Sequence, residues 1–189
     1  MKIRNVVANV LPGLWPCCVL LLAGCGGAGN AASAAAAPIP TAASSCGLAD
    51  FQAASLARVN QYRASGANCR SAGNFSPAGA LRWNNSLTQA AEAHSQDMNA
   101  NNFFSHTGSG GSTMAQRVDA TGYAWRALAE NIAAGQTTIN QVIDGWMGSD
   151  GHCANIMNPN LVDVGLVCVA AAPSDSRSTY WTMALGRPQ

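Results

Sequence analysis

The amino-acid sequence predicts an α+β domain, or a three-layer α/β/α arrangement, in which helices cover an antiparallel pair of strands. Four segments have the apolar spacing of helices, and three of them begin with Ser or Thr followed three residues later by Gln. Two long apolar runs near the C-terminus, joined by a polar turn, have the composition of neighbouring strands. Because the helices alternate with strands and then precede this pair, we expect them to pack on the sheet.

The first two helices are placed by their apolar faces and end signals. The first is predicted over residues 50–65, with Gly66 at its stop, and the second over about residues 86–101, behind a Ser86–Gln89 capping box. The expected apolar face of the first helix consists of Phe51, Leu56, Val59 and Tyr62. That of the second consists of Leu87, Ala90, Ala91, His94 and Met98.

The third and fourth helices carry the same capping signature. The third is predicted from Thr113 to Gly122, and the fourth follows Thr138. The fourth helix has the clearest helical spacing in the chain, formed by Ile139, Val142, Ile143, Trp146 and Met147.

Three apolar segments are predicted to be strands. The first, residues 127–134, is short and contains Glu130 and Asn131 among apolar residues. Residues 162–172 and 178–185 are the longer pair, and the polar segment between them predicts the turn of an antiparallel hairpin.

Length and charge limit the classes of function. The chain has 189 residues, which suits one domain with a proper core rather than two. Without Lys2 and Arg4, which belong to the leader described next, eight basic and nine acidic residues remain, a net charge of −1. No basic stripe runs along the sequence, which argues against nucleic acid as a partner.

The N-terminus has the pattern of a secretory signal. Lys2 and Arg4 precede a short apolar run that ends in LAGC at residues 22–25, and this ending resembles a bacterial lipobox. In that motif the chain is cut before the cysteine, here Cys25, whose thiol carries a diacylglycerol. An ordinary signal cut elsewhere is the alternative. Acyl chains at Cys25 would hold the protein at a membrane surface.

These features divide the chain into three parts. Residues 1–24 are predicted to be a lipoprotein signal peptide, and residues 25–46, which are rich in Ala, Gly and Ser, a disordered tether. Residues 47–189 are predicted to form the folded domain. The expected location is the bacterial cell envelope, lipid-anchored and extracytoplasmic, on the periplasmic side or the cell surface.

The cysteines agree with export. Of seven cysteines, Cys46, Cys69, Cys153 and Cys168 remain beyond the leader and the lipidated position, and an even number in an exported protein implies disulfides. Four cysteines allow three connectivities. The layout of the chain favours Cys46–Cys69, at the ends of the first helix, together with Cys153–Cys168.

The three histidines differ in their surroundings. His94 shares the apolar face of a helix and is expected to be a hydrogen-bonded packing residue. His106 follows two phenylalanines in a loop. His152 follows Asp150-Gly151, where the fourth helix is expected to break, and is placed at a helix–loop corner. For each of the latter two alone, a structural role and a ligand role remain open.

Glu130 is the acidic residue that most needs an explanation. It lies in ALAENIAA, a run that otherwise reads as buried. An ionised carboxylate is costly in apolar surroundings unless it is paired, coordinated or hydrogen-bonded. Pairing of Glu130 with an arginine or a protonated histidine, a place on a water-filled cleft, and a surface strand with Arg126 nearby are the three interpretations.

Several motifs together resemble the CAP superfamily, which includes cysteine-rich secretory proteins, antigen 5 and plant pathogenesis-related proteins. They occur in that family's order over residues 47–188, and the variant resembles the bacterial SCP-like type. The motifs are LRWNNSLTQAAEAHSQDM, FFSHTGSGGSTMAQRV, AENIAAG, VIDGWMGSDGHCANIMNPN, VGLVCV and YWTMALG.

The resemblance implies an α-β-α sandwich of the CAP type, with an antiparallel central sheet and a cleft lined by two histidines and two glutamates. His106, Glu130 and His152 match three of these positions, and Ser149 stands where the second glutamate is expected. In some members the histidines bind zinc or another divalent metal. The missing carboxylate removes a candidate general base.

The expected function is that of a lipid-anchored, non-catalytic binding module whose cleft holds a ligand and a divalent metal. A lipid, a sterol and a cell-wall glycan are the ligand classes that the resemblance implies. The alternatives are a metal-dependent hydrolase or protease of the cell envelope and a purely structural protein. A Ser149 or Cys153 nucleophile beside His152 is the weakest interpretation. No acidic orienting partner or oxyanion hole is indicated for Ser149, and disulfide pairing is expected to occupy Cys153.

Overall fold

A computed structural model of the protein describes residues 40–189. The predicted signal peptide, the lipidation at Cys25 and most of the predicted tether lie outside the described residues. Five helices are present in this part of the chain: α1 (Phe51–Ser65), α2 (Asn85–Ala100), α3 (Met114–Asp119), α4 (Ile139–Met147) and α5 (Asp150–Met157). The strands are β1 (Ala67–Asn68), β2 (Asn74–Phe75), β3 (Arg82–Trp83), β4 (Trp125–Ala134), β5 (Asp163–Ala170) and β6 (Thr179–Pro188).

The central sheet has the strand order β3-β5-β6-β4. The predicted antiparallel pair is confirmed, since β5 and β6 pair from Asp163↔Gly186 to Ala170↔Thr179. Strand β4 continues the antiparallel sheet on the other side of β6. The two-residue strand β3, which the sequence did not predict, pairs in parallel with β5. Strand β4 is therefore an edge strand, and its edge borders the candidate site.

Helices cover both faces of this sheet, which confirms the α+β, three-layer architecture. Successive residues of a strand point to opposite faces. On β5, Leu166 belongs to the core shared with α1, α4 and α5, whereas Val167 belongs to the core shared with α2 and α3. On β6, Met183 faces the same core as Leu166, and Ala184 faces the same core as Val167.

Helix α2 lies unusually close to the sheet at Gly165. A Cβ atom at this position would lie 2.2 Å from the backbone nitrogen of Thr88. Only glycine allows the helix backbone to approach the strand this closely. The contact fixes α2 over the sheet, and with it His94, which lies further along the same helix.

The helix caps confirm two of the three predicted signatures. Thr113 and Gln116 form a reciprocal capping box at α3, and the Thr138 side chain accepts from the backbone N–H of Gln141 at α4. The Ser86 cap is wrong: Asn84 caps α2 by accepting from Leu87, so the helix begins before Ser86. The third helix also ends at Asp119 rather than at Gly122.

The buried stripe of α1 also differs from the prediction. Leu56 and Tyr62 are only half-buried. The buried positions recur every fourth residue, so that the C-terminal turn buries an arginine rather than a tyrosine. These positions are Phe51, Ser55, Val59 and Arg63.

The predicted helix–loop corner at His152 is wrong, because a new helix begins there. Ser149 adopts an extended conformation as N-cap, and α5 starts at Asp150. The aspartate in the first turn interacts favourably with the helix dipole. His152 thus lies in the first turn of α5 rather than in a loop.

The four cysteines form two disulfides, but the favoured pairing is wrong. Cys46 pairs with Cys168, and Cys69 pairs with Cys153. The prediction paired cysteines that are close along the chain. The fold instead brings the N-terminal segment, with Cys46, to β5, and the segment after α1, with Cys69, to α5. The second disulfide joins the residue directly after His152 to the loop that precedes β2.

The described end of the predicted tether, residues 40–46, packs against the domain. Ser44 is fully buried, and the Cys46 backbone N–H donates to the carbonyl of Cys168 over 3.0 Å. The domain thus includes residues that composition alone assigned to a disordered segment. Within residues 40–189, no helix has the length and apolar character needed to cross a membrane.

Candidate functional site

Glu130 occupies the centre of the candidate site. It lies on edge strand β4, with its side chain 6% exposed. Its Oε1 atom accepts from His106 Nδ1 at 2.9 Å, and its Oε2 atom accepts from Arg117 Nη2 at 2.7 Å. Both carboxylate oxygens therefore have charged or dipolar donors, which offsets the cost of burying the charge.

Arg117, on α3, is the residue of this cluster that the sequence analysis did not identify. Besides Glu130, it donates to the backbone carbonyls of His106 and Ser112. One guanidinium thus fixes both the carboxylate and the loop that carries the histidine. The signal available in the sequence was the capped helix α3, whose first turns place Arg117 next to that loop, but helix periodicity does not reveal a partner on another strand.

The His106 ring connects the buried carboxylate to solvent. Its side chain is 57% exposed, and Nδ1 is the atom that faces Glu130. A carboxylate only accepts hydrogen bonds, so Nδ1 carries the proton. In the neutral ring the Nε2 atom is then the acceptor, which makes it the atom available to a metal, a water or a ligand.

His94 lies beneath this cluster and is a packing residue, as predicted. It is fully buried on α2, and its Nε2 atom lies 2.9 Å from the carbonyl oxygen of Ser105. The same atom is 3.9 Å from Glu130 Oε1. Burial lowers the pKa of His94, although the Glu130 charge opposes this shift. The neutral ring therefore supports the loop before His106 from below.

His152 approaches from the other side of strand β4. It is half-buried in the first turn of α5. Burial lowers the pKa of His152, and the nearby His106 lowers it further. The two predicted histidines are thus close enough to interact electrostatically, while no hydrogen bond joins either ring to a side-chain hydroxyl or thiol among residues 40–189.

Two asparagines hold α5 against β4. Asn131 is fully buried and donates to the backbone carbonyl of His152 over 3.1 Å. Its Oδ1 atom accepts from Asn155 at 2.9 Å. The sequence analysis noted Asn131 only as a polar residue within a strand. Together these bonds hold the helix that carries His152 against the strand that carries Glu130.

The free edge of β4 is partly covered by side chains from α4 and α5. The carbonyl of Ile132 accepts from the Trp146 indole at 3.1 Å, and that of Glu130 accepts from Asn155 at 3.4 Å. These contacts satisfy edge carbonyls that would otherwise pair with another strand. They also hold the segment from Trp146 to Asn155 along the site.

A groove of about 330 Å³ lies between this segment and the end of β4. Its walls are mostly apolar, and its polar contributors are Gln136 and His152. Phe104, a residue that is 46% exposed, also lines it. The remaining lining residues are Ile132, Ala133, Ala134, Val142, Gly145 and Trp146.

Ser149 and its neighbour do not supply a second carboxylate to the cleft. The Ser149 side chain makes no capping hydrogen bond at the start of α5. Asp150 accepts from the backbone N–H and the hydroxyl of Ser71, in the turn that follows Cys69. These hydrogen bonds lower the pKa of Asp150, so it stays ionised and engaged there.

The residues present do not make a three-ligand metal centre. Catalytic zinc sites have three protein ligands and one open position. Here Glu130 is engaged by His106 and Arg117, which leaves His106 Nε2 and the His152 ring as the two candidate ligands. No cluster of three or more His, Cys, Asp or Glu residues suited to a metal ion occurs in the described part of the chain.

Two Bacillus subtilis (strain 168) proteins are similar to part of the chain. YkwD is 36% identical over 86 residues, and the membrane protein YlbC is 28% identical over 86 residues. Each match covers 46% of this chain, but only 34% of YkwD and 25% of YlbC. The chain thus spans about a third or less of the length of these relatives.

Solved structures share the fold. An extracellular protein containing an SCP domain from Bacillus anthracis str. Ames is 23% identical, with a TM-score of 0.54 over 72% of this chain and 41% of its own. An outer surface protein from Borrelia burgdorferi is 19% identical, with a TM-score of 0.53 over 59% and 80%. NaASP2, crystallised with Zn2+, is 16% identical, with a TM-score of 0.51 over 71% and 78%.

The match to a family model covers well over half of the chain. The model of the cysteine-rich secretory protein family, CAP, matches residues 56–185. This range contains His106, Glu130 and His152 as well as nearly all of the long strands. The chain therefore belongs to the CAP family.

Proposed function

We propose that the protein is a lipid-anchored, extracytoplasmic CAP-domain protein that acts as a non-catalytic binding module. The observation that carries this proposal is the engagement of Glu130, whose two oxygens are bound by His106 and Arg117. A general base must be able to take a proton from a reacting group. The cluster instead holds the His106 ring in one orientation, and the histidine that lines the apolar groove is His152.

The groove beside His152 is the proposed ligand site. Its walls from β4 and α4 suit an apolar chain or ring, and His152 and Gln136 supply polar contacts at its margin. Small-molecule sites typically combine apolar walls with a few placed polar groups. A fatty acid or a sterol fits this chemistry better than a bare glycan, which would find few hydrogen-bonding groups.

Gly145 offers a way to block the groove without disturbing the fold. A Cβ atom added to this groove-lining residue of α4 would meet nothing within 4 Å. The Gly145→Leu variant should therefore fold and fill the groove, and Gly145→Ala is the matched control that leaves most of it open. The assay is binding of palmitate, a sterol and peptidoglycan fragments, together with native mass spectrometry for co-purified lipid.

The expected result is binding of palmitate or the sterol by the wild type and by Gly145→Ala, and loss of binding in Gly145→Leu. Failure of all the probes to bind, with no co-purified lipid, would remove the module. Binding that Gly145→Leu retains would place the ligand outside this groove.

A divalent metal held weakly by His106 and His152 is the finer part of the proposal. Two imidazoles supply half of a tetrahedral set, with water as the remaining ligands. Zinc titration of the wild type, His106→Ala and His152→Ala tests this. Equal affinity in all three proteins would show that the pair does not bind zinc.

A metal-dependent hydrolase or protease is the second candidate, and the His106–Glu130 hydrogen bond favours it. A carboxylate that orients a histidine is a common arrangement in hydrolytic sites. This candidate requires zinc affinity that depends on both cleft histidines and peptide or ester hydrolysis that zinc restores after chelation. Absence of metal-dependent hydrolysis in a zinc-loaded wild type would exclude it.

The anchor is tested separately from the cleft. Acylation at Cys25 predicts a mature N-terminus at that residue with the added mass of a diacylglycerol. The Cys25→Ser variant should then leave the membrane fraction. An unmodified mature N-terminus at another residue would contradict the lipoprotein proposal without affecting the cleft.

A further inference from the structure

Three arginines from three strands converge at one end of the central sheet, away from the histidine cleft. Arg82 comes from β3, Arg126 from β4 and Arg187 from β6, and all three line a groove of about 440 Å³. Arg126 and Arg187 also line an adjoining groove of about 380 Å³. Residues 40–189 contain eight arginines and no lysine, so this one place holds three of the eight cationic side chains, histidines aside.

The strand pairing brings two of these arginines side by side. Trp125 pairs with Pro188 and Ala127 pairs with Arg187, so the register shifts at Arg126. A β-bulge of this kind changes the direction in which a side chain points. The irregularity at the start of β4 thus places Arg126 in the same groove as Arg187.

The charge of this groove is only partly neutralised. Arg82 donates from Nε and Nη2 to Asp163 Oδ1, at 3.1 and 3.0 Å. The other oxygen of Asp163 accepts from Tyr123 at 2.8 Å, so this carboxylate is already occupied. Among residues 40–189, neither Arg126 nor Arg187 forms a salt bridge, and Arg187 donates to the carbonyl of Asn160 at 3.4 Å.

We propose that this arginine groove binds a phosphate-bearing anion, with Arg126 and Arg187 as its main contacts. Planar guanidinium groups match phosphate oxygens through paired N–H donors. Two cations without carboxylate partners suit a multiply charged oxyanion better than a single carboxylate. The combined volume exceeds that of one phosphate ion, so the ligand carries several phosphates or a larger group beside one.

The groove lies at the opposite end of β5 from the point where residues 40–46 join the domain. Cys46 bonds to Cys168 near the end of that strand, whereas Asp163 begins it beside Arg82. Five residues of strand separate these points by about 16 Å. The groove is therefore separate from the point where the N-terminal segment joins the domain, and a lipid headgroup and a soluble or wall-attached phosphate are the two sources to be distinguished.

The site is tested by measuring the binding of tripolyphosphate to the purified protein with isothermal titration calorimetry at low salt. The Arg126→Gln/Arg187→Gln variant should lose about tenfold or more in affinity, since each substitution removes charge-assisted hydrogen bonds. Arg177→Gln, which removes one positive charge from the turn before β6, is the control for a lost arginine outside the groove and should bind as the wild type does. Thermal unfolding verifies that all three proteins are folded.

Two further arms identify the ligand's source and chemistry. In Cys25→Ser protein, which lacks the proposed acyl anchor, co-sedimentation with phosphatidylglycerol vesicles that is lost on adding Arg126→Gln and Arg187→Gln would assign the phosphate to a lipid headgroup. Binding of tripolyphosphate alone assigns it to a soluble or wall-attached molecule. Equal affinity for poly-glutamate would overturn the assignment to phosphate. No binding in any arm, or equal binding by the wild type and the double variant, would overturn the site itself.

Discussion

Two buried charges in this domain are satisfied in opposite ways. Arg63, at the end of α1, is 1% exposed and has only backbone carbonyls as hydrogen-bond acceptors. Glu130 has a side chain that is 6% exposed and is held by the side chains of Arg117 and His106. The Arg63 cluster is closed to solvent, whereas the Glu130 cluster reaches it through the His106 ring.

The Arg63 cluster is a structural support for the helix that carries His152. Its guanidinium donates to the carbonyls of Ile156 and Asn158, at the C-terminal end of α5. A cation at this end of a helix also interacts favourably with the helix dipole. Burial lowers the pKa of Arg63, but an arginine remains charged at any ordinary pH.

The two clusters have different roles at the same site: the Arg63 cluster supports the fold, and the Glu130 cluster can contact a ligand. Arg63 and Asn131 set the position of the His152 wall, and the Arg117–Glu130 pair sets that of the His106 wall. A group without access to solvent can only stabilise the fold. The cluster that presents a ring nitrogen to the cleft is where a ligand can be contacted.

Replacing Arg63 should have the largest effect. Arg63→Met leaves the carbonyls of Gly79, Ile156, Asn158 and Leu161 without their donor, and we expect a loss of about 3–5 kcal/mol in the free energy of unfolding. Urea denaturation at pH 7 measures it. Arg63→Lys keeps the charge with fewer donors and should lose less. A loss below about 1 kcal/mol for Arg63→Met would show that the cluster is not the support of α5.

Breaking the Arg117–Glu130 pair should have the next largest effect. Arg117→Met leaves a buried carboxylate with His106 as its remaining partner, so we expect a loss of about 2–4 kcal/mol, somewhat less than for a fully sealed pair. Glu130→Gln should also lower the free energy of unfolding, because it leaves the buried Arg117 without its charged partner.

The Arg117→Met/Glu130→Gln double variant provides the control, because it removes both charges of the pair. Its loss should be smaller than the sum of the two single losses by about 1–3 kcal/mol. Additive losses would show that the two charges do not stabilise each other. If Glu130→Gln also leaves every ligand and zinc affinity unchanged, the cluster is purely structural.

Much of the fold was accessible from the sequence, since local signals specified it. The β5–β6 hairpin and the caps of α3 and α4 depend on short-range patterns, and all were predicted. The start of α5 and the disulfide pairing were not, because they depend on where distant segments meet. Cys69 and Cys153 are 84 residues apart, and nothing local to either indicates the other.

For the candidate site, the resemblance located His106, Glu130 and His152, but not what holds them. Arg117 and Asn131 act across elements, from α3 to β4 and from β4 to α5. The partner of a buried charge is a property of packing rather than of spacing along the chain. The sequence therefore indicated that Glu130 needed a partner and left its identity open.

Acidification should reveal a difference in pH dependence between the clusters. The pKa of His94 is lowered by burial, so near and below pH 6.5 the unfolded chain binds a proton that the folded protein excludes. Stability should fall as pH decreases from about 6.5, by at most about 1.4 kcal/mol per pH unit for this residue. His152, whose pKa is also lowered, contributes in the same direction.

Urea denaturation at several pH values between about 5 and 8 measures this slope. His94→Gln should make it shallower, whatever the stability of the variant itself. Arg63→Met should leave it unchanged, since neither an arginine nor a methionine titrates in this range. An unchanged slope in His94→Gln would place the proton uptake elsewhere.

The smallest effect is expected at an exposed ion pair. This pair tests whether burial, rather than charge alone, explains the large losses of stability expected in the two clusters. Arg58 and Asp144 are 2.7 Å apart, with side chains 27% and 42% exposed, and they join α1 to α4. Exposed pairs contribute about 0–1 kcal/mol, because water already solvates both groups. Arg58→Met should therefore lower the free energy of unfolding, measured by urea denaturation, by less than about 1 kcal/mol. At high salt, which screens the pair, the variant and the wild type should be equally stable. A loss as large as that of Arg117→Met would mean that the helix contact, rather than desolvation of the charges, determines the cost at all three positions.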